Sequence, residues 1–252
     1  MKIGIIQYSP EWESPENNYN KILNYLNNWE NIEMLIFPEM TLTGFTMNAA
    51  NNSEEVDGKF FKAFLKIASK YKTNIFFGFI EKENSDYFNT LVHFDSSGLI
   101  AAKYRKIHLF TMAGENNYYS TSAETVLTKI GKVKIGLSIC YDLRFPELYR
   151  KYAKEQAEIL IDIANWPVKR INHWNTLLKA RAIENQSFVI GVNRTGNDPF
   201  HQYNGQSACY DPMGNEIFNA GNNEGLFTFE IDLDSVKNIR EKLPFLNDIK
   251  LI

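Results

Sequence analysis

Apolar runs of strand length alternate along this chain with segments whose apolar residues recur at helical spacing, and that alternation restricts the fold more than any other feature. Lys2–Gln7 reads as a strand, and Tyr19, Ile22, Leu23, Leu26 and Trp29 then follow one helical face. Glu33–Phe37 is a short apolar strand closed by Pro38, and Phe60, Phe61, Phe64, Leu65, Ala68 and Tyr71 line one side of a second helix. Asn74–Ile80, Tyr87–Asp95 and Leu99–Tyr104 read as consecutive strands, the last two joined by a Ser96-Ser97-Gly98 turn. Val133–Ile139, Ile159–Ala164 and Phe188–Asn193 resume the rhythm, with one helix opening at Pro146 and another near Asn172–Asn185. Gln206–Tyr210 and Glu216–Phe218 flank an Asp211-Pro212-Met213-Gly214 turn, and Gly225–Ile231 precedes a polar C-terminal helix. This order predicts an α/β protein with mixed sheets, because a single doubly wound sheet needs more crossover helices than residues 74–140 contain.

No repeat of solenoid length and no low-complexity linker interrupts residues 1–252, so one domain is expected, with Asn48–Asn52 as a surface loop. A chain of 252 residues buries enough surface to fold without a disulfide or metal staple. Its 27 Lys and Arg against 30 Asp and Glu are spread along the length and leave a net charge of -3, which argues against nucleic acid or an anionic membrane as partner. Cys140 and Cys209 make no disulfide framework and point to a reducing compartment. The apolar run after Met1-Lys2 is too short for a signal segment, and no interior run approaches the roughly 20 residues of a membrane span, so a cytoplasmic location is expected.

The sequence lacks both Gly-rich phosphate-cradling patterns, and His93, His108, His173 and His201 stand apart, so neither a cofactor nor a metal is expected. Gly136-Leu137-Ser138-Ile139-Cys140 nearly matches the GxSxG nucleophile elbow, with Cys in place of the last Gly. Ser138 and Cys140 point the same way along a strand, but only the residue at its end can stand out into a cleft. Cys140 holds that place ahead of a helix start, where amides ease thiolate formation; the other reading is a buried structural cysteine. Cys209, inside an alternating strand, reads as structural.

A thiol nucleophile needs a base. His108 and His173 are available, but neither sits in a pattern that argues for it. A desolvated carboxylate does the same work, and Leu35-Ile36-Phe37-Pro38 delivers Glu39 to the carboxyl end of an apolar strand, where α/β sheets form their crevices. A Glu in that place is otherwise a surface residue. Lys103-Tyr104-Arg105-Lys106-Ile107-His108 ends another strand with a basic cluster, either a solvated face or the cation that holds an oxyanion.

Taken together, Phe37-Pro38-Glu39, Tyr104-Arg105-Lys106-Ile107-His108-Leu109 and Cys140-Tyr141-Asp142-Leu143-Arg144-Phe145-Pro146-Glu147 resemble, in that order, the Glu, Lys and Cys signatures of the nitrilase superfamily of carbon–nitrogen hydrolases. Ala164-Asn165-Trp166-Pro167, His173-Trp174, the segment Ala180–Gln186 and Asn193-Arg194 are similar to its bacterial omega-amidase branch. The resemblance implies a four-layer α-β-β-α sandwich with two mixed β-sheets that pairs as a homodimer and needs no metal or organic cofactor. It implies Glu39 as general base, Lys106 as the oxyanion-side lysine, Cys140 as nucleophile and Glu115, ahead of Glu124, as a second, positioning glutamate.

The implied reaction releases ammonia from the terminal amide of 2-oxoglutaramate or 2-oxosuccinamate through a cysteine thioester. Such a substrate carries a carboxylate, for which Arg144 and Arg170 are the candidate partners, Arg144 first; in the other reading Arg144 pairs with a carboxylate such as Glu147. Trp166 and Phe45 either wall the apolar part of the pocket or belong to the core, and the backbone N–H of Tyr141 is a second oxyanion donor. The competing readings are an amidase for an N-carbamoyl compound or deaminated glutathione, an inactive interaction protein, and a hydrolase using Ser138, which lacks the second Gly and a His following an acid.

Overall fold

The computed structural model describes residues 1–251, with Asn28 described in its backbone only. Its strands are β1 (Lys2–Gln7), β2 (Met34–Ile36), β3 (Asn74–Glu83), β4 (Asp86–Phe94), β5 (Ile100–Arg105), β6 (Leu127–Ile130) and β7 (Val133–Ile139). The chain continues with β8 (Ile159–Ala164), β9 (Phe188–Asn193), β10 (Thr195–Asn197), β11 (Gln202–Asn204), β12 (Ala208–Tyr210), β13 (Glu216–Asn219) and β14 (Gly225–Glu230). The α-helices are α1 (Pro15–Tyr25), α2 (Ala49–Asn52), α3 (Lys59–Tyr71), α4 (Pro146–Lys154), α5 (Ile171–Asn185) and α6 (Asp234–Lys242).

Two six-stranded sheets form, in the orders β14-β1-β2-β3-β4-β5 and β13-β12-β9-β8-β7-β6, with β10 and β11 as a separate hairpin. Each sheet has three parallel strands at its centre, β1, β2 and β3 in one and β7, β8 and β9 in the other. Antiparallel strands flank both centres, so the sheets are mixed.

Strand alternation decides which layer each side chain meets. Ile3 and Ile5 of β1, Ile36 of β2 and Phe76 of β3 join Ile135, Leu137 and Ile139 of β7 and Ile161 and Ile163 of β8 in one apolar cluster between the sheets. Gly78 of β3 allows a close approach there, since a Cβ at that position would sit 2.7 Å from Ile163 Cδ1. The opposite face of the first sheet buries Leu35, Ile75 and Phe77 against Ile22 of α1 and Phe60, Phe61 and Phe64 of α3. On the outer face of the second sheet, a Cβ on Gly136 would meet Tyr152 of α4 at 2.6 Å, and one on Gly191 would meet Leu178 of α5 at 2.5 Å. The result is the expected four-layer α-β-β-α sandwich. Among the described residues no helix is long and apolar enough to cross a membrane.

Three local differences from the sequence expectation have physical causes. The helix expected through Trp29 ends at Tyr25, and its last turn tightens into a 3₁₀ turn, Leu26–Asn28. Trp29 still packs, its ring 4.6 Å from that of Tyr71. Strand β6 carries no apolar run, yet it pairs with β7 across Gly131-Lys132, where Gly131 takes the left-handed φ of 59°. Asn48–Asn52, expected as a loop, contains the single helical turn α2.

Phe64 stacks on Phe77 at 3.8 Å and meets Phe37 edge-on at 5.0 Å, fully buried between α3 and the sheet. Phe64→Ala is expected to lower the unfolding free energy by about 3–5 kcal/mol in a urea titration. A loss below about 1 kcal/mol would mean that the helix layer is not packed as described.

Candidate active site

Four strand exits meet at one edge of the sandwich. β2 leads through Phe37-Pro38 to Glu39, β5 ends immediately before Lys106, β7 before Cys140 and β8 before Asn165. β5 runs in the same direction as β2 because two antiparallel steps separate it from β3, so all four exits are carboxyl ends.

Lys106 is fully buried and directs its ammonium at two buried carboxylates, 3.0 Å from Glu39 Oε1 and 3.1 and 3.0 Å from the oxygens of Glu115. The Asn89 amide of β4 donates to both carboxylates, at 2.7 Å to Glu39 and 2.9 Å to Glu115. Glu115 also accepts the Phe110 N–H at 2.6 Å, while Glu39 Oε2 accepts the Asn165 N–H at 2.8 Å. Burial lowers the Lys106 pKa, but Glu115 and Glu39 outweigh it and hold the ammonium charged well above the ordinary lysine range. Burial pushes the Glu115 carboxyl up, partly offset by Lys106.

Cys140 occupies a strained backbone position, φ 50°, at the start of a five-residue 3₁₀ turn, Cys140–Arg144. Its N–H donates to Asp162 Oδ1 at 3.0 Å, and its sulfur lies 4.0 Å from the Asn165 carbonyl oxygen, the residue whose amide binds Glu39. The thiol is not eased toward thiolate as a helix start suggests. Burial first, then Glu39, pushes it well above the usual thiol range against the opposing pull of Lys106. The Tyr141 amide lies in the first turn of that 3₁₀ segment, where helix geometry supplies no internal acceptor.

A small cleft opens over the sulfur, lined by Cys140, Tyr141, Arg144, Trp166, Arg170 and Phe45 among others. The Phe45 ring covers the Lys106 ammonium at 5.3 Å. Arg144 lies over Trp166 at 4.7 Å and meets His173 Nδ1 at 3.3 Å, while Arg170 lies over Phe110 at 5.3 Å. Among the described residues neither guanidinium has a carboxylate at ion-pair distance, so the pairing with Glu147 is not made. Burial and then the neighbouring Arg170 lower the Arg144 pKa. Trp166 is both wall and core: it lines the cleft, packs against Trp174 at 5.5 Å, and donates its indole N–H to the Arg170 carbonyl at 2.7 Å.

All nine singled-out residues therefore converge on one cleft and its floor. Glu124 is exposed, on the surface, and Cys209 is buried in β12. Ser138 is buried too, bonded to Asp162 and Tyr149. His108 stacks on Phe145 at 3.7 Å and places Nδ1 2.8 Å from Asp142. Sequence reasoning missed Asn89, Asn165, Phe110, His201 and Tyr203. An Asn in the middle of a strand was the available signal for Asn89, since strands disfavour it without a reason.

Residues 2–241 match the family model described as carbon-nitrogen hydrolase, and the chain belongs to that family. It is 35% identical to the 2-oxoglutaramate amidase of Bacillus subtilis over 98% of this chain and 97% of that one. Identity to the omega-amidase YafV of Yersinia enterocolitica is 32%, over 98% of this chain and 96% of that one. The crystal structure of a CN-hydrolase superfamily protein from Xanthomonas campestris, which carries an arsenic adduct in its active site, superposes with a TM-score of 0.95 at 28% identity, covering 100% of this chain and 98% of that one. The protein is thus an amide-hydrolysing enzyme, an amidase of the nitrilase type.

Because its pKa is raised, Cys140 carries little thiolate at neutral pH, and the fraction grows as pH climbs through and beyond the ordinary thiol value of about 8.5. Iodoacetamide labelling of the native protein, followed by mass spectrometry from pH 7 to 10, is expected to accelerate at Cys140 across the whole range. Buried Cys209 should react only after unfolding. A Cys140 rate already flat at pH 8 would contradict this electrostatic description.

Proposed function

We propose that this amidase releases ammonia from the terminal amide of a small 2-oxo acid amide, 2-oxoglutaramate or 2-oxosuccinamate, through a thioester on Cys140. The observation that carries the reading is a carboxylate–ammonium–carboxylate cluster beneath a half-buried cysteine, in a cleft whose two guanidiniums have no carboxylate partner among the described residues. The similarity to a 2-oxoglutaramate amidase and an omega-amidase supports the same substrate class.

Glu39 takes the thiol proton as the sulfur bonds to the amide carbon. The oxygen becomes an anion held by the Lys106 ammonium and the Tyr141 N–H. Glu39 then returns the proton to nitrogen, the C–N bond breaks, and ammonia leaves. Water gives a proton to Glu39 and attacks the thioester; the C–S bond breaks, the acid departs, and the sulfur recovers its proton from Glu39. Glu115 and Asn89 keep Lys106 and Glu39 aligned throughout. No step calls for a metal or an organic cofactor.

The substrate carboxylate is assigned to Arg144, with Arg170 as the second cation and with Phe45 and Trp166 against the short carbon chain. The reading also takes the chain as one catalytic domain working as a cytoplasmic homodimer, without nucleic-acid or membrane partners. Light scattering at about twice the chain mass tests the pairing.

Ammonia release is expected from 2-oxoglutaramate in preference to deaminated glutathione or an aliphatic nitrile, and no turnover of the oxo-acid amide rejects the substrate assignment. Cys140→Ala should abolish turnover, and Glu39→Gln should lower kcat by several powers of ten with the circular dichroism intact. Activity within tenfold of the parent in Glu39→Gln removes that residue as base. Arg144→Gln should raise KM by about 10- to 100-fold, the loss of one charge-assisted contact, with a smaller change in kcat.

A further inference from the structure

Asp162 of β8 stands beside Ser138 of β7 in the parallel register and faces α4, fully buried. Its hydrogen-bond partners are all uncharged: the Cys140 N–H at 3.0 Å on Oδ1, and the hydroxyls of Ser138 and Tyr149, each at 2.8 Å, on Oδ2. The two hydroxyls are themselves 2.7 Å apart, and Ser138 Oγ lies 2.8 Å from the Ile161 carbonyl oxygen.

These four oxygen–oxygen contacts need protons to be attractive. The Ile161 carbonyl only accepts, so the Ser138 proton belongs to it, and the Tyr149 proton can serve one further contact. With Asp162 ionised, two of the four contacts are bare oxygen pairs inside a dry core. A proton on Oδ2 supplies a third bond and removes a buried charge that has no counter-ion.

We propose that Asp162 is a neutral, protonated carboxylic acid in the folded enzyme and acts as a positioning residue, holding Cys140 at its left-handed φ through Oδ1 without presenting a negative charge to the sulfur. The inference rests on Cys140 as nucleophile. Of the charged and titratable groups around Asp162, Tyr149 from α4, Cys140 and Asp142 after β7 and Glu39 from the first sheet agree with it, while the Arg181 guanidinium of α5 lies over the Tyr149 ring at 5.4 Å and pairs with Glu184. Burial pushes the Asp162 carboxyl well above the carboxylate range; the Ser138 and Tyr149 contacts offset it in part, and Asp142 and Glu39 add to it. An ionised Asp162 would oppose formation of the thiolate.

Infrared difference spectra between the parent and Asp162→Asn at pH 7 are expected to show a protonated-carboxyl C=O stretch in the parent only. Loss of carboxylate stretches instead would overturn the neutral assignment. Asp162→Ala, lacking the acceptor, should lose about a hundredfold in kcat with little change in KM, and Asp162→Asn should recover most of that loss. Full activity in Asp162→Ala, or an equal loss in Asp162→Asn, overturns the positioning role. Should Asp162→Ala fail to fold, the infrared comparison and the Asn variant still decide. Persistent activity in Cys140→Ala with the infrared band present would mean that the nucleophile reading fails while the protonation of Asp162 stands.

Discussion

One ammonium wedged between two carboxylates organises the catalytic edge of this molecule. At the observed 3.0 Å and an effective dielectric near 20, each attraction of Lys106 for Glu39 or Glu115 is worth about 5 kcal/mol before desolvation. Without the cation the two carboxylates would repel each other, with the Asn89 amide as their shared donor. Glu39 lies 67 residues from Lys106, and Glu115 nine, so the cluster ties the exit of β2 to the exit of β5 and to the loop beyond. Asn165 extends that tie to the second sheet by binding Glu39 through both its backbone N–H and its side chain. Burial first, and then the Glu39 carboxylate of this cluster, keep the proton on the Cys140 thiol at rest against the opposing pull of Lys106.

Backbone strain collects at these exits. Met40, immediately after Glu39, has φ 44°, and Cys140 has φ 50°, both in a region that costs a side-chain-bearing residue about 1–2 kcal/mol. Neither is a free turn: the amide after Met40 bonds to the Gly78 carbonyl, and Cys140 is held by Asp162. Strain of this kind persists only where surrounding bonds over-determine the backbone, and here it turns the carboxylate and the sulfur out of their strands toward a common space.

Much of this was legible in the chain. The apolar runs of β2, β5 and β7 end directly before, or within three residues of, Glu39, Lys106 and Cys140, so the sequence itself showed that each is delivered to a strand's carboxyl end. The near-continuous apolar runs of β1 and β3 also read as strands, and both faces of each are packed. Asn89 was not legible, because its partner Glu39 lies 50 residues away and only the order of strands in the sheet makes them neighbours. The short polar strands β10 and β11 carried no periodic signal at all. The expected easing of the Cys140 thiol failed for a similar reason: a helix start is visible locally, whereas burial and a carboxylate from another strand are not.

The sequence by itself determined which stretches become strands or helices, which of their faces are apolar, and which chemically useful residues stand at strand ends. Those are consequences of periodicity and backbone preference acting over a few residues. Only the tertiary structure decided that Lys106 sits between Glu39 and Glu115, that Asp162 lies behind Cys140, and that two arginines share one cleft with no carboxylate partner among the described residues. Side-chain charge and proton position answer to desolvation and to partners tens of residues away, and those exist only once both sheets have packed.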